Sequence, residues 1–473
     1  MVSRFRGFLS PQNLFCFYFK LSQFLFKESF MVISRPIQGK HRKIKDRINI
    51  ILFAIFLITP FIRFGGKPLV LLDIPARKFY VFGLIIWPQE LYFLHIILLF
   101  LGFSLFFWTA LAGRLWCGYA CPQTLFTEAY NWIARKVTKD RFGKPSMKKS
   151  DWAVVYVVWF FMSVFFSLVF LSYFKPYEEI IKQIINLEFF VPTTFIPENW
   201  VIFTVLSTGT AFFNMAYFRE NLCRLVCPYG RFQVALLDRF SPIVTYDVKR
   251  GEPRKKPNEK VGQHKGDCID CKLCVLVCPT GIDIRDGLQI GCLHCGLCVD
   301  ACTNVMSKFN KETLISYKTM EQIDNPNSKI KYFRPRTVIY GTILTVLLLV
   351  FSYLLITRVP IYTSVLRDKA ISNVYIPNQG WRNGYEVHIG NLSFNPLDAE
   401  IEVQSSYKFS ILTGSKEISI KPEGYEKVRI ILEYPEVEGK PQGYSVPITF
   451  VIKDKNNPKH VKVVKSFFTF PIS

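Results

Sequence analysis

Five stretches of the chain carry no Asp, Glu, Lys or Arg: Ile48–Ile62, Leu91–Gly113, Trp152–Phe174, Asn199–Phe218 and Thr337–Thr357. Four of them have 20 to 23 residues, the length that carries a helix across a bilayer. The first has 15 and spans only if Arg47 and Arg63 snorkel to the two interfaces. The pattern predicts a five-helix transmembrane bundle. A shorter apolar run, Phe79–Pro88, is expected to be re-entrant or interfacial. Beyond residue 360 the period changes to two. Segments such as YEVHIGNLS, AEIEVQSS, KEISIKP, KVRIILEY, SVPITFVIKD and VKVVKSFFTF alternate with turn residues, and six or seven such strands predict a β-sandwich. Its plain reading is a packing or interaction module. The basic, Pro- and Gly-containing stretch 249–266 reads as a linker. The aromatic first thirty residues read either as an interfacial helix or as sequence ahead of a start at Met31, and carry no assigned function. The expected order is an N-terminal segment 1–47, helices 1–4 within 48–248, the linker, a cysteine-rich domain 267–310, a connector 311–336, helix 5 at 337–357 and the outer domain 358–473.

Composition narrows the class. With 473 residues, 59 Lys plus Arg against 36 Asp plus Glu and a net charge of +23, a nucleic-acid binder is conceivable, but half the chain is hydrophobic. The aromatic fraction of 16% excludes a disordered chain, and the apolar runs exclude a single soluble globule. The charge is distributed by segment. Residues 114–151 hold eight basic and three acidic groups, whereas residues 175–198 hold two and four. Summed over alternate segments, about +20 falls on one side and about +3 on the other. Short basic loops stay inside, so the N-terminus and the cysteine-rich domain are expected in the cytoplasm and the sandwich outside, in a bacterial inner membrane.

Thirteen cysteines are present; Cys16 stands apart, and the other twelve fall into two kinds of motif. Cys268, Cys271, Cys274 and Cys278 follow CxxCxxCxxxC with Pro279 next, and Cys292, Cys295, Cys298 and Cys302 repeat it with Thr303 in place of proline. Thiolates at these intervals wrap a [4Fe-4S] cluster with three ligands while the fourth crosses to the neighbouring cluster. The expected sets are Cys268, Cys271, Cys274 and Cys302 for cluster 1, and Cys292, Cys295, Cys298 and Cys278 for cluster 2. Gly281, Gly287, Gly291 and Gly296 would let the backbone fold tightly around them. Structural zinc, the competing reading, fits this doubled spacing poorly. The second motif, CxxxCP, occurs at Cys117/Cys121 and Cys223/Cys227, each pair just after a predicted span. Four thiolates at two helix ends suit a soft ion such as Cu(I), or a further iron–sulfur cluster. The bland alternative is buried packing cysteines. Residues i and i+4 share a helix face, but the following Pro122 and Pro228 disfavour helix at the second cysteine.

Single residues weigh less. His95 in the second span suggests quinone, haem or metal, although a histidine satisfied by a neighbouring helix is the simpler reading. His294 is a spacer within the motif or a tuner of potential, and Asn214 an interhelical hydrogen bonder. Arg114, Glu128, Arg219 and Arg224 are expected to anchor at the membrane surface. Neither a dinucleotide fingerprint nor CxxCH is present.

The segments GRLWCGYACPQTLFTEAYNWIARK and CRLVCPYGRFQ, the doubled ferredoxin motif, and NVMSK with its following span and sandwich resemble the CcoG/FixG family of cytochrome c oxidase accessory proteins, from about Arg35 to the C-terminus. The resemblance implies a multi-domain membrane protein with an Ig-like outer domain, and reduction of Cu(II) to Cu(I) during assembly of cbb-type oxidase. In that light Cys117, Cys121, Cys223 and Cys227 are candidate copper thiols. The partners implied are membrane lipid, oxidase assembly factors or a copper transporter or chaperone, an electron donor of unspecified chemistry, and a second copy of the chain in a homodimer; nucleic acid is not among them. Two rival functions are a quinol dehydrogenase-like membrane ferredoxin feeding a periplasmic reductase, and a non-enzymatic copper-carrying scaffold.

Overall fold

The computed structural model describes residues 32–190, 198–255, 265–371, 374–414, 417–435 and 445–470; Cys16, the readings of the first thirty residues and most of the linker lie outside them. Among the described residues, four helices are long and apolar enough to cross a membrane: Pro88–Ala112, Lys149–Leu171, Asn199–Phe218 and Pro335–Ile356. They correspond to the four longer uncharged runs. The first run behaves differently. Its helix, Lys40–Ile58, begins eight residues earlier than the apolar pattern and buries Lys45 and Asn49, so polar contacts as well as an apolar surface determine its position.

Two compact units divide the chain. One comprises the residues up to 62 together with 97–347, the other residues 63–96 and 348–473. In the first unit, Tyr130, Trp159 and Met215 from three helices share a core with Val155 and Phe142. Tyr130 donates or accepts at Ser163 (2.8 Å), and the Trp159 indole donates to the Tyr130 carbonyl, which satisfies the polar edges of a packed aromatic cluster. Against this bundle sits the cysteine-rich fold. It is wider than the 267–310 expected from the motif, because strand Ile243–Tyr246 pairs antiparallel with Ile315–Lys318 and closes it from outside the cysteine run. Strand pairing over this separation leaves no local pattern, which is why the connector reads as featureless in sequence.

The two halves of the cysteine repeat are conformational copies. The helix Leu273–Leu276 starts after Lys272 at φ 54°, and the helix Leu297–Met306 after Gly296 at φ 73°. The second residue between the first two cysteines is also left-handed in both halves, Asp270 at 52° and His294 at 53°. Pro279 follows Cys278, beyond the end of the first short helix, whereas Thr303 lets the second helix run on and donates its hydroxyl to the Val299 carbonyl. The Lys40 helix has no cap of its own. Asp300 supplies one from the cysteine-rich fold, accepting the amides of His41 and Arg42 at 3.1 and 2.8 Å, a favourable place for a carboxylate.

The second unit is a two-sheet antiparallel sandwich. One sheet runs Ser410–Thr413, Tyr425–Pro435, Gly380–Asn391, Ile361–Asp368, with Val374–Ile376 also paired to Gly380–Asn391; the other runs Glu417–Ile420, Leu397–Gln404, Ser445–Asp454, Val461–Thr469. Alternate residues point inward: Tyr385, Val387 and Ile389 meet Ala399, Ile401, Ile448, Phe450 and Ile452. Three of these strands, Ile361–Asp368, Val374–Ile376 and Ser410–Thr413, are additional to the segments named from sequence; they lie at or beside the edges of their sheet, where one-sided burial weakens the alternation. The Phe79–Pro88 run is neither re-entrant nor interfacial. It supplies the strands Lys78–Val81 and Leu84–Ile86, which pair in a small sheet with Val70–Asp73. Leu71, Tyr80, Ile85 and Trp87 bury with Leu392 of the sandwich, the Tyr80 hydroxyl donates to Glu423 at 2.6 Å, and Arg358 grips Glu90 with two hydrogen bonds of 2.8 and 2.7 Å. Replacing Arg358 with alanine leaves the Glu90 carboxylate nearly buried and unpaired, so a loss of about 3 kcal/mol is expected. The check is thermal unfolding of the detergent-solubilised protein, together with faster proteolytic cleavage in the exposed turn 74–77.

Candidate metal centre

Two cavities lie inside the cysteine-rich fold. Cys268, Cys271, Cys274 and Cys302 line one, together with Tyr246, Leu314 and Ile315. Cys278, Cys292, Cys295 and Cys298 line the other, with Pro279, Ile282 and His294. Each of the eight cysteines of the doubled motif lines one of the two cavities, and Cys274 lines both. The chemistry of the donors suits an iron–sulfur cluster. Burial pushes the Cys274 and Cys292 thiols up to about 12 and raises Cys295 and Cys298, so a positively charged metal centre is what would make these buried sulfurs thiolates. The walls are apolar, apart from a few positioned polar groups.

Each CxxxCP motif is a broken helix. Cys117 lies in the short helix Leu115–Tyr119; Cys121 is extended (φ −65°, ψ 130°), and Pro122 opens the helix Pro122–Val137. The second motif repeats this plan. Cys223 lies in the wide turn Leu222–Val226, Cys227 is extended (φ −63°, ψ 112°), and Pro228 opens Pro228–Leu236. The two thiols of a pair therefore do not share one helix face: proline at the first helical position pushes the preceding cysteine out of the helix. Two reciprocal contacts hold the motifs together. Gln233, six residues after Cys227, accepts from the Cys117 thiol at 2.9 Å. Gln123, two residues after Cys121, donates to the Arg219 carbonyl at 2.9 Å, four residues before Cys223. Asn214 donates to Gln123 at 2.7 Å, the interhelical bond expected of it. Burial pushes Cys117 up to about 11 and Cys223 up to about 12, with neighbouring thiols of both motifs adding to the effect. Among the described residues, no group of three or more His, Cys, Asp or Glu side chains is placed to hold a single metal ion.

The first motif also packs on the second cavity. A Cβ on Gly118 would stand 2.8 Å from the Leu293 carbonyl oxygen and 2.9 Å from the Cys295 Cα, so the middle of CGYAC rests on the backbone of the cysteine loop. Arg114, only 1% exposed, donates its amide to His294 Nδ1 at 3.3 Å and its guanidinium to the Ile290 carbonyl at 2.5 Å. Arg114 and Arg219 are thus buried inside the protein, Glu128 is partly buried among its cations, and none of the three is a surface anchor; Arg224 alone of the four is exposed. Arg219 pairs with Asn131 and Glu220 and lies over the Trp159 ring. Glu128 takes Lys45 and Arg42 at 2.8 and 2.9 Å. Burial would push its carboxyl up, but the two cations and their hydrogen bonds outweigh that and hold it at about 2. His95 hydrogen-bonds the Leu91 carbonyl of its own helix at 2.9 Å and joins no metal site. The sequence reading missed Gln123 and Gln233. Their signal was an uncharged amide two residues after Cys121 and six after Cys227, the second between Phe232 and Val234.

The family comparisons agree with this layout. A 4Fe-4S dicluster domain model matches residues 218–320, a 4Fe-4S binding domain model matches 93–140, and the IG-like fold at the C-terminus of FixG matches 351–471. Protein RdxA of Cereibacter sphaeroides is 31% identical over 474 residues, covering 95% of this chain and 99% of its own. The nitrogen fixation protein FixG of Rhizobium meliloti is 31% identical over 415 residues, 78% of each chain. The chain belongs to the FixG/CcoG family. Protein RdxB of C. sphaeroides, another relative, is 33% identical over 397 residues, 79% of this chain and 82% of its own. A crystal structure of a FixG-related protein from Vibrio parahaemolyticus covers 24% of this chain and 98% of its own at 20% identity, with a TM-score of 0.22. The family identity makes this a membrane iron–sulfur redox protein with ferredoxin-type 4Fe-4S domains and an Ig-like C-terminal domain.

Two outcomes follow for the site. Gly118→Ala should force two backbones apart, costing about 1–3 kcal/mol, and the measurement is loss of iron and of thermal stability in the purified chain. Glu128→Gln leaves Lys45 buried without its counter-charge and should cost about 3–5 kcal/mol. Because the folded carboxyl lies below its ordinary 4.5, its contribution is complete above that value and fades as pH falls toward about 2. The loss on substitution, read from unfolding midpoints, should therefore be full at pH 7 and shrink only in strong acid.

Proposed function

We propose that this FixG/CcoG-family protein is a membrane-anchored one-electron reductase that converts Cu(II) to Cu(I) for the assembly of a cbb-type cytochrome c oxidase. The observation that carries this reading is the contact between Gly118 and the Cys295 loop: it packs the first CxxxCP motif against a cavity lined by Cys278, Cys292, Cys295 and Cys298. Clusters held by Cys268, Cys271, Cys274 and Cys302, and by Cys278, Cys292, Cys295 and Cys298, would supply single-electron transfer. Cys117, Cys121, Cys223 and Cys227 would receive the copper substrate. Thiolate sulfur favours Cu(I) over harder ions, so binding there pulls the ion toward its reduced state. Gln233 holds the Cys117 sulfur in place through the hydrogen bond already described.

The expected orientation also has support. The three segments with excess positive charge are joined within one unit, by Arg35 to Leu276, His41 to Asp300 and Gly118 to Cys295. The outer loop 63–90 and the C-terminal domain are joined within the other, by Tyr80 and Lys78 to Glu423. Elements packed together share a side of the membrane, which agrees with a cytoplasmic cysteine-rich fold and a periplasmic sandwich.

A second reading rests on one specific observation. The 4Fe-4S binding domain model spans residues 93–140, where Cys117 and Cys121 are the only cysteines; the four CxxxCP thiols would then hold a further iron–sulfur cluster. Anaerobic assay of the purified, iron-loaded chain separates the readings. The copper reading expects Cu(II)-dependent oxidation of the reduced protein, about two four-iron clusters per chain, and at least a tenfold slower rate for Cys117→Ala with Cys223→Ala at unchanged iron. Iron that falls in that variant favours the further cluster. Rates that do not change remove these thiols from the reaction. Bleaching by quinol without any copper reduction points instead to a quinol dehydrogenase.

A further inference from the structure

The two halves of the cysteine repeat match in backbone and differ, among other positions, at the one before the second cysteine. At the left-handed position before the second cysteine, the first half has Asp270, a third exposed and paired with Arg285 at 2.5 Å. The second half has His294, which is 1% exposed and lines the cavity of Cys278, Cys292, Cys295 and Cys298. Its ring accepts the Arg114 amide at Nδ1 (3.3 Å), and its backbone carbonyl accepts the Tyr317 hydroxyl at 2.6 Å. A neutral imidazole that accepts at Nδ1 carries its proton on Nε2. That Nε2–H is buried and has no hydrogen-bond partner among the described residues. Buried donors are nearly always satisfied, so a donor left over in a wall of this cavity points to an acceptor inside it. The acceptors that a thiolate-held cluster presents there are sulfur atoms.

We propose that His294 is a positioning residue that donates Nε2–H to a sulfur of the iron–sulfur cluster held by Cys278, Cys292, Cys295 and Cys298, raising the reduction potential of that cluster. The inference rests on the ligand sets proposed above. Hydrogen bonds to cluster sulfur withdraw negative charge, stabilise the reduced state and raise the potential. At the equivalent position of the other half stands Asp270, paired with Arg285, so that half offers no imidazole N–H there. The N–H donor stands in the cavity that packs on Gly118 of the first CxxxCP motif.

The test uses the full-length protein, purified anaerobically in detergent, with EPR-monitored redox titration. His294→Leu should lower the reduced-to-oxidised ratio of one cluster about tenfold at fixed potential, which for a one-electron couple is about 59 mV, and leave the other cluster in place. His294→Gln, which keeps an N–H, should recover most of that shift. In the wild-type protein, electron–nuclear double resonance of the reduced cluster should show an exchangeable proton that disappears in deuterium oxide. Because a left-handed backbone strains leucine, the wild-type proton carries the test if that variant fails to assemble. Equal movement of both clusters, no movement with iron retained, or no exchangeable proton overturns the role of His294. The wild-type iron content tests the ligand sets separately: a value well below about eight per chain overturns them, and the proposal with them.

Discussion

The close approach of Gly118 to the backbone of Leu293 and Cys295 is the constraint on which the rest of the redox unit depends. A side chain at that point would hold two backbones apart, and with them a membrane-edge thiol motif and a cysteine loop. Because there is none, Arg114 can reach the Ile290 carbonyl and His294, and Gln233 can reach both Arg114 and the Cys117 thiol. The interface is a chain of hydrogen-bonded polar groups, with the His294 Nε2 left over, within an apolar setting, where low dielectric makes each bond stronger and each omission more costly.

Charge is handled in the same way throughout this unit. Asp300 caps the Lys40 helix from the cysteine-rich fold, Glu128 gathers Arg42 and Lys45, and Arg219 is enclosed by Asn131, Glu220 and Trp159. Each group links elements remote in sequence. Buried ion pairs of this kind add little net stability over apolar residues, but removing one partner is expensive, so they select one arrangement of helices over near alternatives. The second unit uses ordinary sandwich physics, alternating apolar residues between two sheets, with Arg358 and Glu90 fastening the segment 63–96 to it.

Much of this was legible along the chain. Four spans follow from runs without charge, since a bilayer tolerates little else. The gathering of eight cysteines around two cavities follows from the doubled spacing, which puts them at the same intervals in each half. Proline after Cys121 and Cys227 foretold that each pair would break out of a helix. The Phe79–Pro88 run misled because its short apolar pattern suits an interfacial segment and a strand alike; Leu392 and Tyr362, nearly three hundred residues away, decided between them.

What the sequence by itself determined is local and periodic: span length, strand alternation, cysteine spacing and the sign of each loop. These depend on neighbours within a turn or two, or on the membrane as solvent. Only the tertiary structure decided which buried polar groups meet. Arg114 looked like a surface anchor because charge beside an apolar run usually is one, yet its partners are Ile290, His294 and Gln233. Asp270 and His294 occupy equivalent places in two copies of one motif, and nothing in the motif distinguishes their environments. The difference comes from what each half packs against, and that is settled by long-range burial, in which every donor and acceptor must find a partner.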